Sequence, residues 1–371
     1  MPAEANLTEK RSFDAIIVGG GVIGLSCAWR LAQAGARVAV LERERPPAGA
    51  TRVAAGMLAP VGELTFGEPE LLELTLVASE LYPGFVAELE GATGLATGHQ
   101  TSGALHVALD RDEAQQLRRV HDLQRSLGLA AEWLSPGACR ELEPGLTPSL
   151  AGGVHAPGEG SVDPRALTAA LLAALEGEGV EVRTGEEVVA ALLEGRRIVG
   201  VRTASGVELR GEAVVLAAGA WSGQAAWLPV SARPAVRPVK GQILELRPAE
   251  GGTAPCGRFV ASERVYLVPR ADGRLIVGAT VEERGFDTAV TAGGVHELLR
   301  EAYRLTPEVA EMELVEAMAA LRPGTPDNMP LVGPGALEGL VLATGHYRNG
   351  ILLAPLAAAR VVETLGAGVA A

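Results

Sequence analysis

The stretch "FDAIIVGGGVIGLSCAWRLAQAGARVAVLERE", residues 13–44, decides how the rest of the chain is read. Its opening, "DAIIVG", is short, apolar and β-branched, which predicts a buried strand. Leu25, Ala28, Leu31 and Ala32 then recur at helical spacing, and Gly35 marks the expected helix end. "ARVAVLE" predicts a second strand ending on Glu42. Strand, glycine turn, helix and strand make a βαβ unit. The expected fold is therefore α/β, with a Rossmann-type parallel sheet at its start.

The turn carries its own chemistry. Gly19, Gly21 and Gly24 form a G-x-G-x-x-G pattern. The first glycine permits a tight turn, the second lets backbone approach a pyrophosphate, and the third lets helix and strand pack closely. The helix start offers free N–H groups and partial positive charge to phosphate. Glu42, eighteen residues past Gly24, is placed to accept hydrogen bonds from ribose hydroxyls. A dinucleotide site follows, with NAD and FAD both open at this point.

Composition narrows the classes. The chain has 371 residues and a net charge of −13, which argues against a surface that tracks nucleic-acid phosphates. Cys27, Cys139 and Cys256 are scattered, so neither a metal site nor a disulfide framework is expected. No apolar run is long enough to span a bilayer, and "MPAEANLTEKRS" lacks the apolar core of a signal peptide. A cytoplasmic protein and a homo-oligomer are the expectations.

Further along, residues 68–91 predict helix, with Pro83 expected to break it or to start a new one. Asp163–Pro164 reads as a helix start. Short strands around "SG" and "DG" turns, from "GRRIVGVRTASGVELRG" to "RADGRLIVGAT", predict an antiparallel sheet distinct from the parallel one. The division expected is discontinuous. Residues 13–80, 150–222 and 320–365 form a nucleotide-binding domain, 81–149 and 223–319 a substrate domain with a mixed or antiparallel sheet, and 1–12 a polar tail.

Three features favour FAD over NAD. "GATRVAAGMLAP", residues 49–60, is a small-residue stretch in which Thr51 and Arg52 can reach phosphate, while Ala54, Ala55 and Gly56 admit a flat ring. "EAVVLAAGAWSG", residues 212–223, is an apolar strand ending in Ala218–Gly219. "ATGHYRNGILLAP", residues 343–355, is a late strand-to-helix turn rich in donors, expected to present backbone N–H groups at the start of the last helix.

These pieces, together with "PVKGQ", "YLVPRADGRLIVGAT" and "LRPGTPDNMPLVG", resemble the D-amino-acid-oxidase superfamily of FAD-dependent amine oxidases. The resemblance is closest to the bacterial glycine oxidases of thiamine biosynthesis. It implies FAD contacts at Val22, Ile23, Glu42, Arg43, Ala50, Thr51, Ala55, Gly56, Met57 and Val188. It implies more at His346, Tyr347, Arg348, Asn349, Gly350, Ile351 and Leu352, and substrate contacts at Tyr266, Arg322 and Arg348.

The chemistry suits such residues. A planar guanidinium fork matches both oxygens of an amino-acid carboxylate, so Arg322 is expected to clamp it and the Tyr266 hydroxyl to add a hydrogen bond. Oxidation then needs orientation and electrostatics rather than a dedicated base. The activity implied is oxidative deamination of glycine, or a similar small amino acid such as sarcosine or D-alanine, to the imine and then to glyoxylate, ammonia and hydrogen peroxide, with oxygen as acceptor and thiamine biosynthesis as its use. A D-amino-acid or sarcosine oxidase or dehydrogenase is the alternative. The "LRPG" segment lacks the cysteine that tethers flavin in sarcosine-oxidase-type relatives, so FAD is expected to be non-covalent. Val281 stands where resembling enzymes can carry a larger methionine, which bears on pocket size.

Overall fold

The structure is a computed structural model that describes residues 12–366. Residues 1–11 of the expected tail lie outside the described residues, and Ser12 already belongs to the first strand. Among the described residues there are two large sheets and a small two-stranded one. In the first sheet, Leu340–Thr344, Glu208–Leu216, Ser12–Val18, Val38–Glu42 and Glu181–Thr184 run parallel in that order. Leu331–Pro334 closes one side antiparallel. Ile16, Ile17, Val40, Val214 and Val215 are fully buried, as expected of parallel strands covered on both faces.

Register explains where a ligand goes. Val18 pairs with both Leu41 and Leu216, and Leu216 with Leu342, so these strands end at a common edge. The glycine turn, Glu42, Ala217–Gly219 and the turn after Thr344 all leave from that edge. Ligands of open α/β sheets bind in such a place, outside the carboxyl ends of the strands. Helices Val22–Gln33, Pro69–Thr93, Pro164–Gly177 and Ala354–Leu365 share one core over this sheet.

Two details differ from expectation. Pro83 neither breaks nor starts a helix; it lies inside Pro69–Thr93. Tyr82, Phe85, Val86 and Leu89 are buried around it, and Phe85 meets Trp29 edge-on at 5.4 Å, so packing outweighs the local defect. The hairpin of Arg197–Thr203 with Glu208–Leu216 around the "SG" turn joins the parallel sheet rather than the antiparallel one, because Glu208–Leu216 pairs parallel with Ser12–Val18, and Val188–Glu194 adds a further strand beside Arg197–Thr203.

The second sheet runs Glu313–Gly324, Arg237–Arg247, Leu275–Gly278, Tyr266–Pro269, Phe259–Ala261, Ala104–Ala108, Gly152–Ala156 and Glu132–Leu134. Its pairs are antiparallel except Phe259–Ala261 with Ala104–Ala108. Gly152–Ala156 thus sits in this sheet, although the expected division places residues 150–222 in the nucleotide unit. Arg322 lies within a strand and pairs with Val239. A small core of Val53, Ala55, Ala59, Ile243, Met318 and Ala320 joins the segment after the second parallel strand to this sheet.

Candidate active site

A cavity of about 500 Å³ lies between the sheets, a size typical of ligand sites. One end is built on the glycine turn. Gly19 has φ +118°, and a Cβ there would lie 2.4 Å from the Ala217 carbonyl oxygen. A Cβ on Gly24 would lie 1.9 Å from the Gly19 oxygen, so only glycine lets the helix sit on its own turn. Gly21 caps that helix without a side-chain bond, and Val22 N–H donates to Thr51 Oγ1 at 3.0 Å. Glu42 accepts from Gly20 N–H at 2.6 Å and from Glu44 N–H at 2.9 Å, which fixes its carboxylate beside the turn. The Arg43 guanidinium stacks 3.9 Å from the centre of the Trp221 ring.

Most expected cofactor residues meet on this wall. Gly19, Gly21, Val22, Ile23, Glu42 and Arg43 line the cavity. So do Ala50, Thr51, Ala55, Gly56, Met57, Val188, Ala218 and Gly219. From the late turn, His346, Tyr347, Arg348, Gly350 and Ile351 line it too. Gly24, Asn349 and Leu352 are not on the wall. Gly24 serves helix packing, Asn349 N–H donates to the His346 carbonyl at 2.9 Å, and Leu352 is buried in the core.

The late turn differs from expectation in one respect. Its helix begins only at Ala354, and residues before it form successive turns. Tyr347 N–H is already donated to the Pro323 carbonyl at 3.0 Å, and Tyr347 holds φ +45°, uncommon for a bulky residue. The turn therefore presents side chains and selected amides, not a helix end. His346 is 2% exposed; burial pushes its imidazole down to about 3, so the ring is neutral. Its Nε2 has no hydrogen-bond partner among the described residues.

The other end holds the expected substrate groups. Arg322 Nη1 donates to the carbonyls of Thr280 at 3.1 Å and Lys240 at 3.4 Å. Its guanidinium lies against Gly241, where a Cβ would stand 2.3 Å from Nη1. Tyr266 likewise lies over Gly278, whose Cβ would meet its hydroxyl oxygen at 2.5 Å. Burial raises the Tyr266 phenol, against the pull of Arg322. Arg348 is exposed at the rim and reaches Thr65 Oγ1 at 3.4 Å. Neither Arg322 nor Arg348 has an ion-pair partner among the described residues.

Val281 does not line this cavity; it is 62% exposed, so it does not set the pocket size. The sequence reading missed Glu63, Trp221 and Gly241, all on the wall. Gly241 carried a signal, since a glycine inside a strand pattern marks close approach of another group.

Among the described residues no helix is long and apolar enough to cross a membrane, and no side-chain group could hold a metal ion. The family described as "DAO: FAD dependent oxidoreductase" matches residues 14–364. "Bifunctional protein ThiO/ThiG" of Trichormus variabilis is 39% identical over 352 residues, covering 94% of this chain. The chain spans about half that curated relative's length, 52%. Glycine oxidase of Geobacillus kaustophilus is 35% identical over 365 residues, covering 95% of this chain and 92% of its own. The crystal structure of glycine oxidase from that organism superposes with a TM-score of 0.89, covering 96% of this chain and 95% of the other. A family match of this extent, on a fold that brings the glycine turn and Glu42 to one cavity, places the chain in the FAD-dependent oxidoreductase family with FAD as its cofactor.

Proposed function

We propose that this protein oxidatively deaminates glycine, or a similarly small amino acid, to the imine and then to glyoxylate, ammonia and hydrogen peroxide. Its use would be supply of the imine to thiazole formation for thiamine. The observation that carries the reading is an Arg322 guanidinium without an ion-pair partner, laid flat against Gly241 beside Tyr266, in the wall of the flavin cavity. The names of the relatives, glycine oxidase and ThiO/ThiG, support it.

The residues present fit FAD. Gly19 and Gly24 leave no room for a Cβ, which keeps the turn tight beside the cavity, and the unpartnered His346 Nε2 lies in the same wall. Glu42 would take the ribose hydroxyls, Val22 and Ile23 the pyrophosphate, and Ala55 to Met57 with His346, Tyr347, Arg348, Gly350 and Ile351 the ring system. Bound FAD would accept the two electrons of the substrate's α-carbon–hydrogen bond. The protein's part is orientation. Arg322 holds both carboxylate oxygens, and the carbonyls of Thr280 and Lys240 hold Arg322.

Attachment is read as non-covalent, since none of the three cysteines lines the cavity. All three are free and buried, as suits a reducing cytoplasm. A homo-oligomer is supported by Leu314 and Val315, each 49% exposed on an edge strand of the second sheet. Light scattering tests it.

Anaerobic mixing with glycine, sarcosine and D-alanine, following loss of the flavin's visible absorbance, tests the activity. Glycine is expected to bleach the flavin, and Arg322→Ala to stay yellow with severely weakened glycine binding. Bleaching by D-alanine or sarcosine but not by glycine would assign the protein to the other amine oxidases. An unaltered glycine dependence in Arg322→Ala would remove the clamp.

A further inference from the structure

The substrate end of the cavity also contains a carboxylate, that of Glu63. Glu63 lines the cavity with Arg322, Arg348 and Tyr266. Its carboxylate has no hydrogen bond or ion pair among the described residues, although Arg348 and Arg322 both act on it electrostatically. Burial pushes this carboxyl above its ordinary range, against the pull of Arg348, His106 and Arg322. An unpartnered, half-buried carboxylate is costly to keep.

Its backbone, by contrast, is held firmly. Glu159 is 1% exposed and accepts from Val61 N–H at 2.7 Å and from Gly62 N–H at 2.6 Å. His106 Nε2 stands 3.5 Å from its other oxygen. Glu63 N–H donates to the Ala59 carbonyl at 3.0 Å. Gly62 admits no side chain, because a Cβ would fall 1.8 Å from His106 Nε2. The turn thus delivers Glu63 to a fixed place in the cavity wall and leaves its carboxylate unsatisfied.

A ligand can supply what the protein does not. At neutral pH a small amino acid is a zwitterion, with a carboxylate and an ammonium on one carbon. Arg322 and Tyr266 match the first group. The second needs an anion within the same small space, and the wall offers Glu63. We propose that Glu63 binds the substrate's ammonium group and selects amino-carboxylates over hydroxy-carboxylates of the same size. The proposal rests on Arg322 holding the carboxylate, and it names a binding partner that the clamp alone lacks.

The test compares glycine with glycolate on FAD-loaded wild-type, Glu63→Gln and Glu63→Asp proteins. Flavin absorbance reports cofactor retention, its spectral shift reports glycolate binding, and anaerobic bleaching reports glycine. In Glu63→Gln the half-saturating glycine concentration is expected to rise about tenfold or more, with partial recovery in Glu63→Asp. Glycolate affinity is expected to stay the same or to tighten. Equal weakening for both ligands, or no change for glycine, would overturn the assignment. Wild-type protein that binds glycolate but is not bleached by glycine would instead overturn the glycine-oxidation reading. In that case competition between glycine and glycolate in the two variants still decides the role of Glu63.

Discussion

Replacing Gly241 with alanine tests the clamp without touching any group that would contact the substrate. The new Cβ would stand 2.3 Å from Arg322 Nη1 and 2.6 Å from Cζ and Nη2, whereas ordinary contact begins at about 3.4 Å. The guanidinium must retreat by about 1 Å, and its bonds to the Thr280 and Lys240 carbonyls, at 3.1 and 3.4 Å, are lost or lengthened. Gly241 has no positive φ, so alanine suits the backbone, and what yields is the far end of a flexible side chain. Displacement of about 1 Å costs on the order of a hundredfold in a positioned reaction. The expected loss in kcat/KM is therefore about ten- to a hundredfold, or about 1.4–2.7 kcal/mol. The assay is anaerobic stopped-flow flavin reduction across glycine concentrations, with flavin content and thermal midpoint as controls. Because the alanine acts through Arg322, its effect should largely vanish in an Arg322→Ala background. Full flavin content with unaltered glycine saturation, or an equal penalty in both backgrounds, would rule out Arg322 as the clamp.

Gly278→Ala should act in the same way on Tyr266, whose hydroxyl oxygen would lie 2.5 Å from the new Cβ. A loss of about three- to tenfold in kcat/KM is expected, since one neutral hydrogen bond is at stake; steady-state kinetics checks it. Glu42→Ala removes the acceptor for Gly20 N–H, and it should weaken FAD binding by about tenfold or more, read by titrating apoprotein with FAD. Asp163→Asn addresses stability. Burial raises the Asp163 carboxyl, but Arg270, Arg274 Nη2 at 2.7 Å and Arg165 N–H at 2.9 Å outweigh that and hold it below its ordinary range. A lowered folded-state value stabilises above the unfolded value of about 3.9, and that stability is lost as pH falls through the folded one. Thermal midpoints of wild type and Asp163→Asn should differ most near neutrality and draw together as pH falls through the lowered folded-state value; a gap independent of pH would contradict this.

The nucleotide half was legible in the sequence because its parts are local. Gly19, Gly21, Gly24 and Glu42 lie on one βαβ unit, where each spacing has a single geometric meaning. The substrate half depends on register between distant strands. Gly241 pairs with Ala320 and Val239 with Arg322, so the guanidinium crosses to Gly241 only once those strands are aligned. Glu63 gave no periodic or motif signal, because its turn is fixed by Glu159 nearly a hundred residues later. The "SG" turn marks the hairpin of Arg197–Thr203 with Glu208–Leu216, but not the sheet that the hairpin joins. Local turn chemistry sets hairpin pairing, and only the parallel contacts of Glu208–Leu216 decide which sheet receives it.

Four positions break local rules of strand, turn or charge, and they are not scattered. Glycine inside a strand costs roughly 0.5–1 kcal/mol relative to alanine, yet Gly241 and Gly278 stand in strands of the second sheet. Tyr347 holds a left-handed φ, and Glu63 leaves a carboxylate unpartnered. Gly241, Tyr347 and Glu63 line the cavity, and Gly278 supports Tyr266, which lines it too. Departures of this kind persist where function compensates them. They come from the second sheet, from the turn after Thr344 and from the turn held by Glu159, three independent supports. A residue that served only the core of one sheet would have no reason to meet the others. What they share is a cavity whose wall carries two guanidinium groups and one carboxylate that act on one another, the complement of an amino acid's own charges.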